Sequence, residues 1–410
     1  MSTSTAPQPT STAPTSFPLR ALLLLSFGVL VTVTAESLPA GLMPELSADL
    51  RVSPAQIGLL ISVWAVTVIV TSIPLTRATA RFDRRLVIGI ALAAFALANL
   101  ATAFSPGYEF ALATRVVAAI AHGAFWAVVM VYATALLSPA HLGRGLALVT
   151  AGGTAATVIG LPLATLVAQG LGWRATFVTL GAVALLLGAI VVLAMPPHVP
   201  DRMPRAGRSN VLHDPSLPAL AAFGLVAVLI ATAQFASFTY IRPYLEVSAS
   251  IDAGWAAGLL FVYGAAGLVG VVGAGAAADR YPRASLMTVL LILVGAFTVL
   301  TFAAQSIPAV IAALLVWGFA LGAIFPLLQT VLMRTSTART RDLAGAGIVV
   351  LFNVGIASGP AIGAVVGGER SPTSITAVSA VAILMAAALA ALGFALSHRR
   401  ERRERRERAQ

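Results

Sequence analysis

Three ionisable side chains fall inside long apolar stretches of the sequence: Glu36, Arg115 and His122. A charge at the centre of a lone membrane helix costs about 2.5–3.5 kcal/mol, so each of these residues needs a partner or a task. Glu36 stands seven residues before Met43, where one apolar run ends, and Arg115 follows the start of another run, at residue 109, by six. In helices rising about 1.5 Å per residue these depths are roughly 10 Å and 9 Å, which leaves a Glu36–Arg115 ion pair geometrically open. An arginine at that place would keep the carboxylate ionised, and separating the two would let it take a proton. The competing reading sets Glu36 within Glu36-Ser37-Leu38-Pro39-Ala40-Gly41, where it caps or stabilises a bend at a helix end.

Arg115, His122 and Trp126 are spaced by seven and four, which puts them on one helical stripe. His122 suits a hydroxyl-bearing ligand or a proton relay, and equally a packing contact between helices. Trp126 offers a face on which a ring can stack, or simply packs. Gln234, Tyr240 and Asn353 are polar residues inside later apolar runs; they read either as walls of a cavity or as hydrogen-bonding links between helices.

The elements that must hold these residues are helices. Of 410 residues, 59% are hydrophobic and only 10% charged, against about 25% charged in soluble domains. Apolar runs occur near residues 19–43, 56–76, 86–104, 109–136, 145–169 and 174–195, and again near 217–241, 254–278, 284–304, 308–331, 342–366 and 374–396. Each is long enough to cross a hydrocarbon core of about 30 Å, and lipid leaves no partner for an unpaired backbone group. The expected fold is an all-α membrane protein of twelve transmembrane helices in two pseudo-symmetric six-helix bundles, residues 19–195 and 217–396. A disordered tail over 1–18, a polar basic linker over 196–216 and a basic tail over 397–410 complete the chain.

The net charge of +11 does not indicate nucleic acid, because the basic residues are neither gathered on a soluble face nor interleaved with stacking aromatics. All 26 basic residues are arginine, and all but Arg51, Arg115, Arg174, Arg242 and Arg370 fall in tails, linker or loops on one side of the bundle. By the positive-inside rule that side, with both termini, is cytoplasmic. With no cysteine, disulfides and thiolate metal sites are excluded. Neither paired intramembrane carboxylates nor a metal-ligating cluster appears, so an embedded enzyme is disfavoured and no cofactor is expected. A sensor without transport is the other distant alternative.

The halves echo each other. Between the second and third runs stands Thr76-Arg77-Ala78-Thr79-Ala80-Arg81-Phe82-Asp83-Arg84-Arg85, and at the equivalent place in the second half stands Gly275-Ala276-Ala277-Ala278-Asp279-Arg280-Tyr281-Pro282-Arg283. These segments resemble the loop signature G-x-x-x-D-R-x-G-R-R of the major facilitator superfamily. The second copy keeps Gly275, Asp279 and Arg280. The first has Thr76 and Ala80 in the Gly and Asp places, with Asp83 in place of the second Gly, and retains Arg81, Arg84 and Arg85. Arg115 resembles the superfamily's membrane-embedded arginine, and Gly152-Gly153 through Gly160-Leu161-Pro162 resembles the fifth-helix motif of its antiporters.

The strings Ala121 to Trp126, Phe238 to Tyr244 and Phe352 to Ile356 are similar to sugar efflux transporters of the drug:proton antiporter group. The resemblance implies a bacterial inner-membrane exporter that functions as a monomer and exchanges protons for a small polar solute such as a sugar. The alternative within the superfamily is a multidrug or antibiotic exporter. Glu36, Arg115 and His122 would then serve proton coupling; Trp126, Gln234, Tyr240 and Asn353 would line the substrate cavity; and Pro162 and Pro360 would bend the fifth helix of each half.

Overall fold

The computed structural model describes residues 17–138, 141–199, 214–337, 339–367 and 371–409. Most of the expected tail over 1–18 and of the linker over 196–216 lies outside these residues.

Among the described residues twelve long helices follow one another: α1 (Leu19–Gly41), α2 (Pro54–Thr79), α3 (Arg84–Ala103), α4 (Tyr108–Ala135), α5, α6 (Trp173–Ala194), α7 (Leu217–Thr239), α8 (Ala256–Arg280), α9 (Pro282–Phe302), α10 (Ile307–Thr335), α11 (Arg341–Val366) and α12 (Pro372–Ala409). The fifth, α5, runs through Leu142–Ala155, a π-helical turn Ala156–Gly160, and Leu161–Leu171. Eleven of the twelve contain segments long and apolar enough to cross a bilayer, and α11 carries a shorter apolar stretch, Val350–Val366. No strand occurs among the described residues. A short helix, Met43–Leu50, joins α1 to α2 at the end of the bundle away from the chain termini, here called the distal end.

Two boundaries differ from the sequence expectation. The segment 275–283 is not a loop: α8 continues to Arg280 and α9 begins at Pro282, leaving Tyr281 alone between them. The last helix does not stop near 396 but runs on to Ala409, since arginine and glutamate are good helix formers that need no apolar environment.

The packing has an internal two-fold repeat. In the first half α1 packs on α5, α2 on α4, and α3 on both α4 and α6; in the second half α7 packs on α11, α8 on α10, and α9 on both α10 and α12. The halves meet along two seams related by the same repeat, α2 against α11 and α5 against α8.

Small residues set how closely these helices approach. Gly152 and Gly160 of α5 lie directly on Ser26 and Thr34 of α1, where a Cβ would collide with the Ser26 carbonyl and the Thr34 hydroxyl. Pro162 explains the π-helical turn: it has no N–H to donate and its ring crowds the preceding turn, so Leu161 N–H reaches back to the Ala156 carbonyl instead. Gly264 of α8 rests on that widened turn, with space for a Cβ only 2.6 Å from Val158 Cα. Gly267 and Gly270 serve the packing of α8 on α10. In the absence of a hydrophobic driving force within lipid, such close backbone contacts supply much of the association between helices.

The distal end of the first half is tied down by Asp49, which accepts from Trp173 Nε1 at 2.9 Å and from Arg174. The Arg174 hydrogen bond, with that of Trp173 adding to it, holds the Asp49 carboxyl below the usual carboxylate range. Ser53 caps α2 reciprocally with Gln56, and Pro54 occupies the first turn, where its missing N–H costs nothing.

The glycine contacts generate a direct test. Gly152→Ala forces a backbone separation with an expected cost of about 1–3 kcal/mol, seen as a lower melting temperature of the detergent-solubilised protein. Gly153→Ala, whose Cβ would meet nothing closer than Val29 Cγ1 at 3.9 Å, is expected to melt with the wild type.

Candidate functional site

The site is built on a gap in the hydrogen-bond ladder of α1. Pro39 lies inside that helix and has no N–H, so the Ala35 carbonyl, four residues earlier, lacks its helical donor. Arg115 of α4 replaces it: one guanidinium nitrogen donates to Ala35 O at 2.9 Å and the other to Glu36 O at 3.2 Å. Arg115 is buried. The expected Glu36–Arg115 ion pair is therefore corrected in its atoms: the guanidinium holds the Ala35 and Glu36 carbonyls, and the Glu36 carboxylate lies 3.8 Å from His122 Nε2. An orphaned carbonyl away from water is a strong acceptor and takes the cation. Pro39, Arg115 and the ionisable residues Glu36 and His122 thus form one connected structure.

Trp64 of α2 completes the cluster and was not singled out from the sequence. The Arg115 guanidinium carbon lies 4.1 Å from the centroid of the indole, and the indole meets the His122 ring edge-on at 5.2 Å. A lone tryptophan midway along an apolar run was its only signal. Trp126 stands beyond His122 with ring centroids 6.2 Å apart, half-buried at the edge of the group. Among the described residues, the buried Trp64 Nε1, His122 Nδ1 and Arg115 Nε have no hydrogen-bond partner. The cluster thus holds an acid–base pair together with unpartnered polar atoms on His122 and Arg115, and can both exchange a proton and hydrogen-bond a solute through those two residues.

The second-half candidates are engaged differently. The Gln234 carbonyl of α7 accepts from Trp317 Nε1 at 2.6 Å and its amide donates to the Tyr263 hydroxyl at 2.8 Å, so it links α7 to α10 and α8. Tyr240 likewise spends its hydroxyl on the Pro360 carbonyl of α11, at 3.0 Å, and presses on Gly58 of α2 across the seam. Both are buried, and both follow the helix-linking reading. Asn353 is half-buried on α11.

The loop-motif residues are also local. Asp83 caps α3, accepting from Arg85 N–H at 3.0 Å and from His198 N–H at 3.1 Å. Arg84 donates to Thr79 O at 3.1 Å and Arg85 to Met195 O at 3.3 Å, while Arg81 is exposed. These contacts staple the turn between α2 and α3 to the end of α6 within the same half. Gly275 and Asp279 lie in the last turns of α8, and Arg280 Nε donates to the neighbouring Tyr281 hydroxyl at 3.3 Å.

At the distal end the halves are clamped by Arg242, in the helical turn Ile241–Pro243 that follows α7, and 2% exposed. Its guanidinium donates to Gly41 O at 2.9 Å and Glu45 Oε1 at 3.2 Å, across the divide, and to Glu246 Oε1 at 2.8 Å in its own half. Gly41 supplies one of the carbonyls that any helix leaves free at its C-terminus.

A duplicated six-helix bundle with an ionisable cluster at membrane depth defines a membrane transporter, and the comparisons give its family. The chain matches the Major Facilitator Superfamily over residues 25–274 and 224–410 and belongs to it. It is 32% identical over 354 residues to a chloramphenicol efflux pump of Mycobacterium tuberculosis strain CDC 1551 / Oshkosh, covering 84% of this chain and 85% of that one. The corresponding pump of strain H37Rv matches at 32% over 355 residues, with the same coverage. Among solved structures, a bacterial homologue of the human lysosomal transporter Spinster superposes with a TM-score of 0.73 at 16% identity, over 93% of this chain and 98% of that one. The nucleoside transporter NupG superposes with a TM-score of 0.73 at 15% identity, over 92% and 99%. The chain is a multi-pass membrane transporter.

The clamp can be tested in this naturally cysteine-free chain. A single Ala40→Cys, placed where α1 packs into the core of the other half, is expected to react slowly with maleimide in purified protein. Arg242→Gln in that background should speed labelling by about tenfold, equivalent to about 1.4 kcal/mol of closure.

Proposed function

We propose that this transporter exports a small uncharged organic solute in exchange for protons, acting as a monomer in the bacterial inner membrane. The observation that carries the reading is the Glu36–His122 contact on a helix whose hydrogen-bond gap is filled by Arg115. A carboxylate and an imidazole in contact at membrane depth form a proton-exchange pair, and their place beside unpartnered polar atoms lets a bound solute compete for them. Excess arginine on the side of the chain termini supports a cytoplasmic assignment for that side, so the distal end clamped by Arg242 faces outward.

For the solute, the two relatives named chloramphenicol efflux pumps support an antibiotic-like compound over the sugar suggested by short motifs. Among the described residues, Glu36 is the one carboxylate more than a turn inside an apolar span; Glu109 stands in the first turn of α4, and the other described acids stand near helix ends or in loops. That scarcity disfavours a lipophilic cation. No metal-binding group of acidic and histidine residues occurs among the described residues, and nothing in the cluster resembles a hydrolytic site.

Proteoliposomes with an imposed pH gradient test the reading. Chloramphenicol, with a panel of neutral sugars beside it, is expected to move against its gradient together with counter-moving protons, and Glu36→Gln should reduce both to the level of empty liposomes. Solute movement without protons would make the protein a facilitator and Glu36 a structural residue; turnover of the compound without flux would favour an enzyme.

A further inference from the structure

We propose that Trp64 is a positioning residue for proton coupling: its indole holds the Arg115 guanidinium on the α1 carbonyls and away from the Glu36 carboxylate. This rests on the coupling reading above.

Arg115 and His122 stand seven residues apart, two turns along one face of α4. Trp64 reaches across from α2 and touches both, the guanidinium over its ring at 4.1 Å and the imidazole against it at 5.2 Å. Phe95 of α3 backs it edge-on at 6.2 Å, and the tryptophan is wholly buried. The groups that touch the guanidinium are formally neutral, two carbonyl oxygens and the negative face of an indole, while the Glu36 charge acts on it through space. These contacts leave the carboxylate opposite His122. Because one of those carbonyls belongs to Glu36 itself, a small swing of the guanidinium would reach the carboxylate and lock the pair. The indole face opposes that swing.

The charged groups around the carboxylate are Arg115 and His122, both from α4. The other elements packed on α1 are α2, α5, α6, α7, the short helix Met43–Leu50 and the turn Ile241–Pro243; the charged residues of the last two, Glu45, Asp49 and Arg242, lie at the distal end beyond Gly41. The charged residues of α2, α5 and α6, which are Arg77, Arg144 and Arg174, stand at helix ends, and α7 has none. Since α2 also forms a seam with α11, rocking of the halves acts on the element that carries Trp64.

The test uses the full-length protein in proteoliposomes with chloramphenicol as the probe, comparing wild type, Trp64→Phe and Trp64→Met between about pH 6 and pH 8. Solute counterflow, which needs no net proton movement, serves as the control for folding and binding. In Trp64→Met, counterflow should stay within about twofold of wild type while the ratio of gradient-driven transport at the two pH values falls to about one; Trp64→Phe, which keeps a ring face, should retain most of that ratio. Trp64→Met with the wild-type pH profile would overturn the assignment, as would equal losses in Met and Phe at every pH. If the Met variant does not fold, fluorinated tryptophans inserted at position 64 keep the shape while weakening the ring's negative face. A progressive flattening of the pH profile with fluorination is then expected, and the absence of a trend overturns the proposal. A wild type whose transport ignores pH would instead overturn the coupling reading on which the assignment stands.

Discussion

One missing hydrogen-bond donor shapes the first half of this protein. Pro39 leaves a carbonyl of α1 unpaired at a depth where lipid and protein offer no water, and an unsatisfied backbone group there costs several kcal/mol. Arg115 answers it. A buried cation is thereby fixed to the backbone next to Glu36, and the carboxylate is left to His122. The proline, the arginine and the tryptophan beside it form a single arrangement, in which the gap in the α1 ladder and the ionisable site depend on each other.

Prolines also mark both seams between the halves. Pro162 opens a π-helical turn in α5, and Gly264 of α8 settles on it. Pro360 of α11 offers its carbonyl to Tyr240, which in turn presses on α2. The π-helical turn of α5 and Pro360 of α11 therefore sit on the two seams where the halves meet, and irregular backbone at such depth is tolerated where it is buried in protein. Arg242 adds a clamp at the distal end, and its pair with Glu246 lies within its own half. That pair can persist when Gly41 and Glu45 move away, so opening would not leave the guanidinium without a counter-charge. Such an arrangement suits a rocking motion about a central site between parallel six-helix halves.

Much of this was legible in the sequence. Twelve spans follow from run length and hydropathy, and the duplication from two similar segments, because both are one-dimensional properties. The end of α8 was misplaced because Asp279 and Arg280 look like loop residues, although a helix can carry them beyond the apolar core. Glu36, Arg115 and His122 were found as rare charges in apolar runs, yet the partner of Arg115 was misassigned: backbone acceptors have no letter in the sequence. Pro39 was the available clue, since a proline inside a helix frees the carbonyl four residues before it. Gln234 was visible as a costly buried amide, but its partners Tyr263 and Trp317 come from other helices and only the packing brings them to it. Arg242 stood out only as an arginine on the less basic side, for the same reason.

The central claim is that solute and proton compete for Glu36. It is tested most directly without a membrane, by adding chloramphenicol to detergent-solubilised protein in weak buffer and following proton release with a pH-sensitive dye. Protonated Glu36 should give up its proton as the solute binds, so release is expected in the wild type and is lost in Glu36→Gln even where the solute still binds. Solute binding with no proton released, or with the same release from Glu36→Gln, would contradict it.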